Sequence, residues 1–339
     1  MPDRIVIVDA HRANERIPTF ELKQMMGRVS RGDDTKPGHV DFVLGMTKYE
    51  KVVEQVNAND KYQVESKLAE DLDIICFHLM PEIGSGAVRN VDAVKRWYER
   101  SLNAFQGNDI DIQMIVDRLQ ECNCVIAFQN NLIPTVLGQA AARFYFQPIH
   151  VMEWTKNFEE IFGREKPEIH SIAWALANIS GQKGAFEPKE VGYLIEEYKN
   201  QASTNGLDTQ GNVRLGLCWW YLLGGPSIRS LRPAAYERKK EWPRLYRLLR
   251  VVDKFHGWNR KNFLIDLNVR IGYRVSEELV ELCKLGFNKT IATELYNMEV
   301  KGYSDLQAHL GEIECSENPR LLFEVEKVLN GAMEREEEI

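Results

Sequence analysis

The chain has 339 residues, 44% of them hydrophobic and 27% charged, with a formal net charge of -7. That composition is globular and long enough for about two to four domains, and without a run of 18 apolar residues it predicts no transmembrane helix. Six cysteines without framework spacing, and an N-terminus MPDRIVIVDA lacking a basic-then-apolar leader, predict free thiols in an intracellular setting, cytoplasmic (nucleoid) or nuclear.

In chain order, RIVIVD at 4–9 is a short β-branched run of the kind found in a buried parallel strand. Thr19 is placed to cap a helix containing Phe20, Leu22 and Met26. That helix is expected to continue through Gln24, Gly27, Arg28 and Arg31 to the breakers Gly32-Asp33-Asp34, before a second strand in HVDFVLGM. Two strands are too few for a sheet buried on both faces, so residues 1–48 read as the remnant of a larger αβ domain. Arg28 and Arg31, three residues apart, would share a helix face. They are either phosphate ligands or partners of Asp33 and Asp34.

Residues 49–150 read as short helices followed by a brief strand pair around QNNLIP, which suits a winged-helix domain. Cys122-x-Cys124 is the only close cysteine pair and lacks a second pair, so no metal site is expected. Residues 151–265 read as wholly helical, with helices at 151–162, 168–179, 187–203, 212–223 and 240–257. A small helical domain follows at 266–311, then an acidic tail at 312–339 with a frayed end.

Charge is unevenly placed. Arg229–Arg274 holds 13 Lys/Arg against 4 Asp/Glu, whereas Glu312–Ile339 holds 9 Glu against 3 Lys/Arg. Attraction to a polyanion follows the local field, so the basic segment is the candidate contact. With Pro243 in the first turn, a helical wheel puts Leu245, Leu248, Leu249, Val252 and Phe255 on a buried stripe. Arg247, Arg250, Lys254 and Trp258 then gather opposite. That face is either a solvated rim or a set of phosphate contacts with a stacking platform for single-stranded nucleic acid.

QMMGRVSR at 24–31 resembles the last conserved motif of superfamily 2 helicases, Gln-x-x-Gly-Arg-x-x-Arg, and more closely that of the Ski2-like or Hel308-type branch. MPDRIVIVD, GHVDFVLGMTKYEKVVEQ, the 64–101 segment opening VESKLAEDLDIICFHLMPEIG, LIPTVLGQAAARFYFQP and the 266–307 segment opening DLNVRIGYRVSEELVELCKLG resemble further family segments, in the family's order, over almost the whole chain. The resemblance implies a mainly α, multidomain fold. Its parts would be a truncated RecA-like lobe 2, a winged helix, a helical ratchet domain and a terminal helix-hairpin-helix-like domain. It implies a part in ATP-dependent DNA unwinding, such as occurs in DNA repair, on single-stranded or forked DNA. Gln24 would order the nucleotide site, and Gly27, Arg28 and Arg31 would meet the phosphates, with Arg31 as the arginine finger. Val29 and Ser30 stand where the family has Ala and Gly, and Gly286-Phe287-Asn288 stands for its Gly-x-Gly hairpin. The sequence has no Gly-Lys-Ser/Thr phosphate loop and no Asp-Glu magnesium motif. ATP with Mg2+ is therefore expected only in a motor completed by a separate N-terminal subunit carrying that lobe. The alternatives are a non-catalytic nucleic-acid-binding module and a helicase-derived protein-interaction scaffold.

Overall fold

The computed structural model describes residues 4–12, 15–29, 38–45, 49–57, 66, 68, 71–163, 167–181, 192–204, 212–225, 229–316 and 318–337. The fold is mainly α-helical and multi-segmented, with small sheets that do not close. It divides into two compact units, Met1–Lys67 with Phe105–Gly107, and Leu68–Ala104 with Asn108–Ile339.

In the first unit, β1 (Arg4–Val8) pairs in parallel with β4 (His39–Val43), Arg4 opposite His39 and Val8 opposite Val43. Between them come the two-residue strands β2 (His11–Arg12) and β3 (Glu15–Arg16), then α1 (Thr19–Met26). The strand period of two turns Ile5, Ile7, Val40 and Phe42 toward a small core shared with Leu22 and Val52. The opposite face is open: Val6, Val8 and Val43 are 52%, 72% and 56% exposed. The strand at 4–9 is thus parallel as expected but covered on one side only. The unit also continues past residue 48, because α2 (Tyr49–Asn57) places Val52 in this core and its Gln55 side chain donates to the Ile17 carbonyl at 2.8 Å. Thr19 does not cap α1: Pro18 is the N-cap residue, without a side-chain bond, and Thr19 is already helical.

Next in the chain are α3 (Leu72–Gly84), α4 (Val91–Glu99), α5 (Leu102–Phe105) and α6 (Ile112–Glu121), all in the second unit except Phe105. Asp71, Asn90 and Asp111 cap α3, α4 and α6 through side-chain oxygens. An antiparallel hairpin follows, β5 (Val125–Phe128) with β6 (Asn131–Pro134), and a single bridge from Asn90 to Asn131 extends it. Thr135 caps α7 (Val136–Phe144), accepting from the Gly138 N–H at 3.0 Å. Gly138 is needed there, since a Cβ would lie 1.9 Å from the Cys124 carbonyl oxygen.

Next come α8 (Pro148–Phe162), α9 (Ile169–Ala177), α10 (Gly192–Thr204), α11 (Val213–Leu222), α12 (Arg232–His256) and α13 (Lys261–Tyr273). One continuous core runs from α3 to α13, and α9 and α11 are buried on nearly every side. The long helix begins at Arg232 rather than at 240, with a proline in its first turn at Pro233. Pro243 is consequently inside the helix, where it has no N–H to donate to the Lys239 carbonyl four residues back.

A second core joins α14 (Val280–Lys284), α15 (Lys289–Asn297), α16 (Tyr303–Ala308), α17 (Leu310–Glu314) and α18 (Pro319–Glu337). Its largest buried side chain is Phe287, and burying a group of that size contributes roughly 1.5–3 kcal/mol. The acidic segment at 312–339 is not a loose tail throughout: α18 is helical to Glu337, and its Leu321 and Val325 complete this core.

Candidate nucleic-acid interface

The second half of α12 sorts its side chains sharply. Leu245, Leu248, Leu249 and Val252 are all at most 2% exposed, as the wheel requires. Asp253 is buried beside them. Its carboxylate accepts the Arg260 N–H at 2.8 Å, and its carbonyl accepts from Gly257 and Trp258. Gly257 adopts a left-handed conformation, φ 65°, and ends the helix in a Schellman-type turn.

That turn decides the fate of the sequence-predicted aromatic. On a continued helix Trp258 would point outward, but after Gly257 the chain folds back. Trp258 stacks on His256 (5.1 Å between ring centres, 18° between planes) and meets Phe162 edge-on at 5.0 Å. It is half-buried and packs against the main core, so it is not a free stacking platform. Arg260 clamps the same junction, donating to the Phe162 carbonyl and lying 5.2 Å from that ring.

The aromatic that does face solvent is Phe255, 48% exposed. The wheel placed it in the buried stripe, but about 80° from the stripe centre, where neighbouring elements decide. A groove of about 820 Å³ forms between this end of α12, the start of α13 and the N-terminus of α7. Val136, Val251 and Phe255 provide its apolar lining, and Arg250, Lys254 and Lys261 its cations. Among the described lining residues the one carboxylate, Asp253, is already hydrogen-bonded. Arg250 is held in place by its bond to the Tyr246 hydroxyl at 3.0 Å, with its guanidinium 5.8 Å from that ring. Of the four predicted contact residues, Arg250 and Lys254 line the groove, whereas Arg247 is exposed elsewhere on the helix and Trp258 is packed inward. Sequence reasoning missed Phe255, Lys261 and Val136. The terminating Gly257 was the signal available for the inward turn of Trp258, and the edge position on the wheel for Phe255.

The N-terminal candidates lie at the end of α1. Gln24, Gly27 and Arg28 are all exposed. The helix stops at Met26, and hydrogen bonds from Arg28 to Met25 and from Val29 to Met26 form a turn, so Arg28 is not on the helix as expected. It makes no ion pair with any described residue. Arg31 lies outside the described residues, as do Ser30, Asp33 and Asp34. In the C-terminal hairpin only Gly286 has positive φ, 105°. Asn288 is extended and caps α15, accepting from Thr290 and Ile291.

Among the described residues no cluster of His, Cys, Asp and Glu is arranged to hold a metal ion, and no helix is long and apolar enough to cross a membrane. Cys122 and Cys124 are buried free thiols, and burial pushes the Cys122 thiol up to about 11. No protein-family model matches the chain, and no curated protein matches it in sequence.

Proposed function

We propose that the chain is the C-terminal portion of an ATP-dependent, Ski2/Hel308-type DNA helicase, contributing the arginine motif and a surface that holds one strand. In this reading residues 1–48 are part of a RecA-like lobe 2. Residues 49–150, which include the β5–β6 hairpin, are a winged-helix domain, residues 151–265 a helical ratchet domain, and residues 266–311 a helix-hairpin-helix-like domain. The observation that supports it most is the α12 groove, where Arg250, Lys254 and Lys261 surround the half-exposed Phe255. Phosphates need cations, bases need an accessible π-face, and a sequence-indifferent single-strand site needs both.

The exposed guanidinium of Arg28 and amide of Gln24 have the donor chemistry to meet nucleotide phosphates. They offer neither a phosphate-cradling loop nor a magnesium ligand, so ATP with Mg2+ belongs to a motor completed by a partner bearing that lobe. The alternative, a non-catalytic nucleic-acid-binding module, shares the groove and dispenses with the partner. Fluorescence anisotropy with labelled single-stranded and duplex oligonucleotides at two salt concentrations tests the strand claim. Tighter binding to the single strand, weakening as salt rises, is expected. Equal or absent binding to both would refute it. Steady-state ATP turnover by the chain alone is expected to be negligible, and ordinary turnover would contradict the division of labour.

A further inference from the structure

The groove occupies one end of α12, and the outward face of that helix continues well beyond it. At about 100° per residue, Arg232, Tyr236, Lys240, Arg247, Arg250 and Lys254 fall within about 40° of a single line along the helix. All are exposed except Arg250, which is half-buried. The buried side chains of α12 lie opposite, so the line is its solvent face. From Arg232 to Lys254 it is about 33 Å long, at about 1.5 Å per residue.

The carboxylates of α12 lie off that line and already have partners. Glu237 is bonded to Lys240 at 3.0 Å, Glu241 pairs with Arg238 at 3.0 Å, and Asp253 accepts the Arg260 N–H at 2.8 Å. Arg232, Arg247 and Lys254 make no ion pair with any described residue. Lys240 is therefore partly offset, and the other cations of the line keep their field.

The length and the aromatic together narrow the occupant. A free phosphate or a single nucleotide would meet one or two of these cations, so a line this long calls for an elongated anion. Tyr236 adds a second requirement. Its ring is 60% exposed, and the Lys240 ammonium, 4.8 Å from the ring centre, steadies it. An acidic peptide would use the cations and leave the π-face idle, whereas a nucleic-acid strand uses both. We infer that a single strand held in the groove continues along the solvent face of α12 to a second stacking platform at Tyr236. The inference rests on the strand-binding reading of the groove and adds a length to it. Tyr236 and Phe255 are about 28 Å apart along the helix axis, which is about eight nucleotides of a stacked strand and fewer of a stretched one.

Fluorescence anisotropy on the full chain, with labelled oligothymidylates of about four and about twelve nucleotides, tests this. The short strand fills the groove alone. Its log affinity should fall against log salt with a slope of about -2, from Arg250, Lys254 and Lys261 at about 0.7 each. The long strand adds Arg232, Lys240 and Arg247, so its slope should approach about -4 and its affinity at low salt should be at least about tenfold higher. Tyr236→Ala, at an exposed position, should keep the wild-type circular dichroism spectrum. It should weaken the long strand about five- to one-hundredfold and leave the short one unchanged. Equal slopes for the two lengths, or a long strand indifferent to Tyr236→Ala, would overturn the path along α12. The groove itself would survive that result wherever Phe255→Ala still weakened the short strand. Absence of binding by either strand would overturn both. An oligoglutamate of similar length that bound as tightly as the long strand, and was lost in Tyr236→Ala, would overturn the path too and assign the face to an acidic protein.

Discussion

The N-terminal αβ layer and the α12 groove both present arginine to solvent, on very different supports. The layer rests on a two-stranded parallel sheet covered on one face, over a small core in which five of the described apolar residues are buried. The groove rests on a 25-residue helix whose inner stripe belongs to a core running from α3 to α13. Parallel sheets are normally covered on both faces, so chemistry at the end of α1 depends on what the open face meets. Chemistry at the end of α12 is set by contacts already in place.

The sharpest break in this comparison is a pair of stability measurements. Phe158→Ala, fully buried next to Phe162 and Trp258, should lower urea stability by about 3–5 kcal/mol. Val6→Ala on the open sheet face should change it by less than about 0.5 kcal/mol. Comparable losses would mean that the open face is packed.

The next contrast separates two aromatics three residues apart. Trp258→Ala should destabilise the fold by about 2 kcal/mol or more through lost packing. Phe255→Ala should leave stability nearly unchanged and weaken single-strand binding by about five- to one-hundredfold, the worth of one stacked base. The reverse pattern would restore Trp258 as the platform. Smaller still, Lys254→Ala and Lys261→Ala should each reduce the slope of log affinity against log salt by about 0.7, one phosphate contact apiece.

His150 on α8 supplies a pH test. Burial holds its imidazole below the usual histidine range, with Nε2 2.8 Å from the Ser180 carbonyl oxygen. The unfolded chain therefore binds a proton more readily than the fold. Stability should fall as pH drops through the unfolded histidine value near about 6.5 and on toward the lower folded value, and rise again above it. His150→Gln should flatten that part of the melting-temperature profile. The smallest effect is chemical: of six free thiols only Cys315 is exposed, so one should react with a thiol reagent under native conditions and six in denaturant.

Much of this architecture was legible in sequence, for identifiable reasons. Helices at 151–162, 168–179 and 212–223 agree with the structure to within about three residues because their apolar residues are dense and helix-spaced. The start of α12 was misplaced because two prolines compete for the first-turn position, and Pro233, not Pro243, takes it. Trp258 turns inward because Gly257 ends the helix before it, whereas Phe255, still helical, lies at the edge of the stripe, where a wheel does not decide burial. Lys261 and Val136 could not be found by periodicity at all, since they join the groove from other helices. The helix within the acidic segment was hidden by its glutamates, although Leu321 and Val325 sit one helical turn apart.

The most direct test of the groove is photo-crosslinking of the chain to a single-stranded oligonucleotide bearing halogenated pyrimidines, with the attached peptide mapped by mass spectrometry. The account predicts attachment within the segment containing Phe255, abolished by Phe255→Ala and retained in a folded Arg247→Ala. Attachment confined to other parts of the chain, or crosslinking indifferent to Phe255, would contradict it.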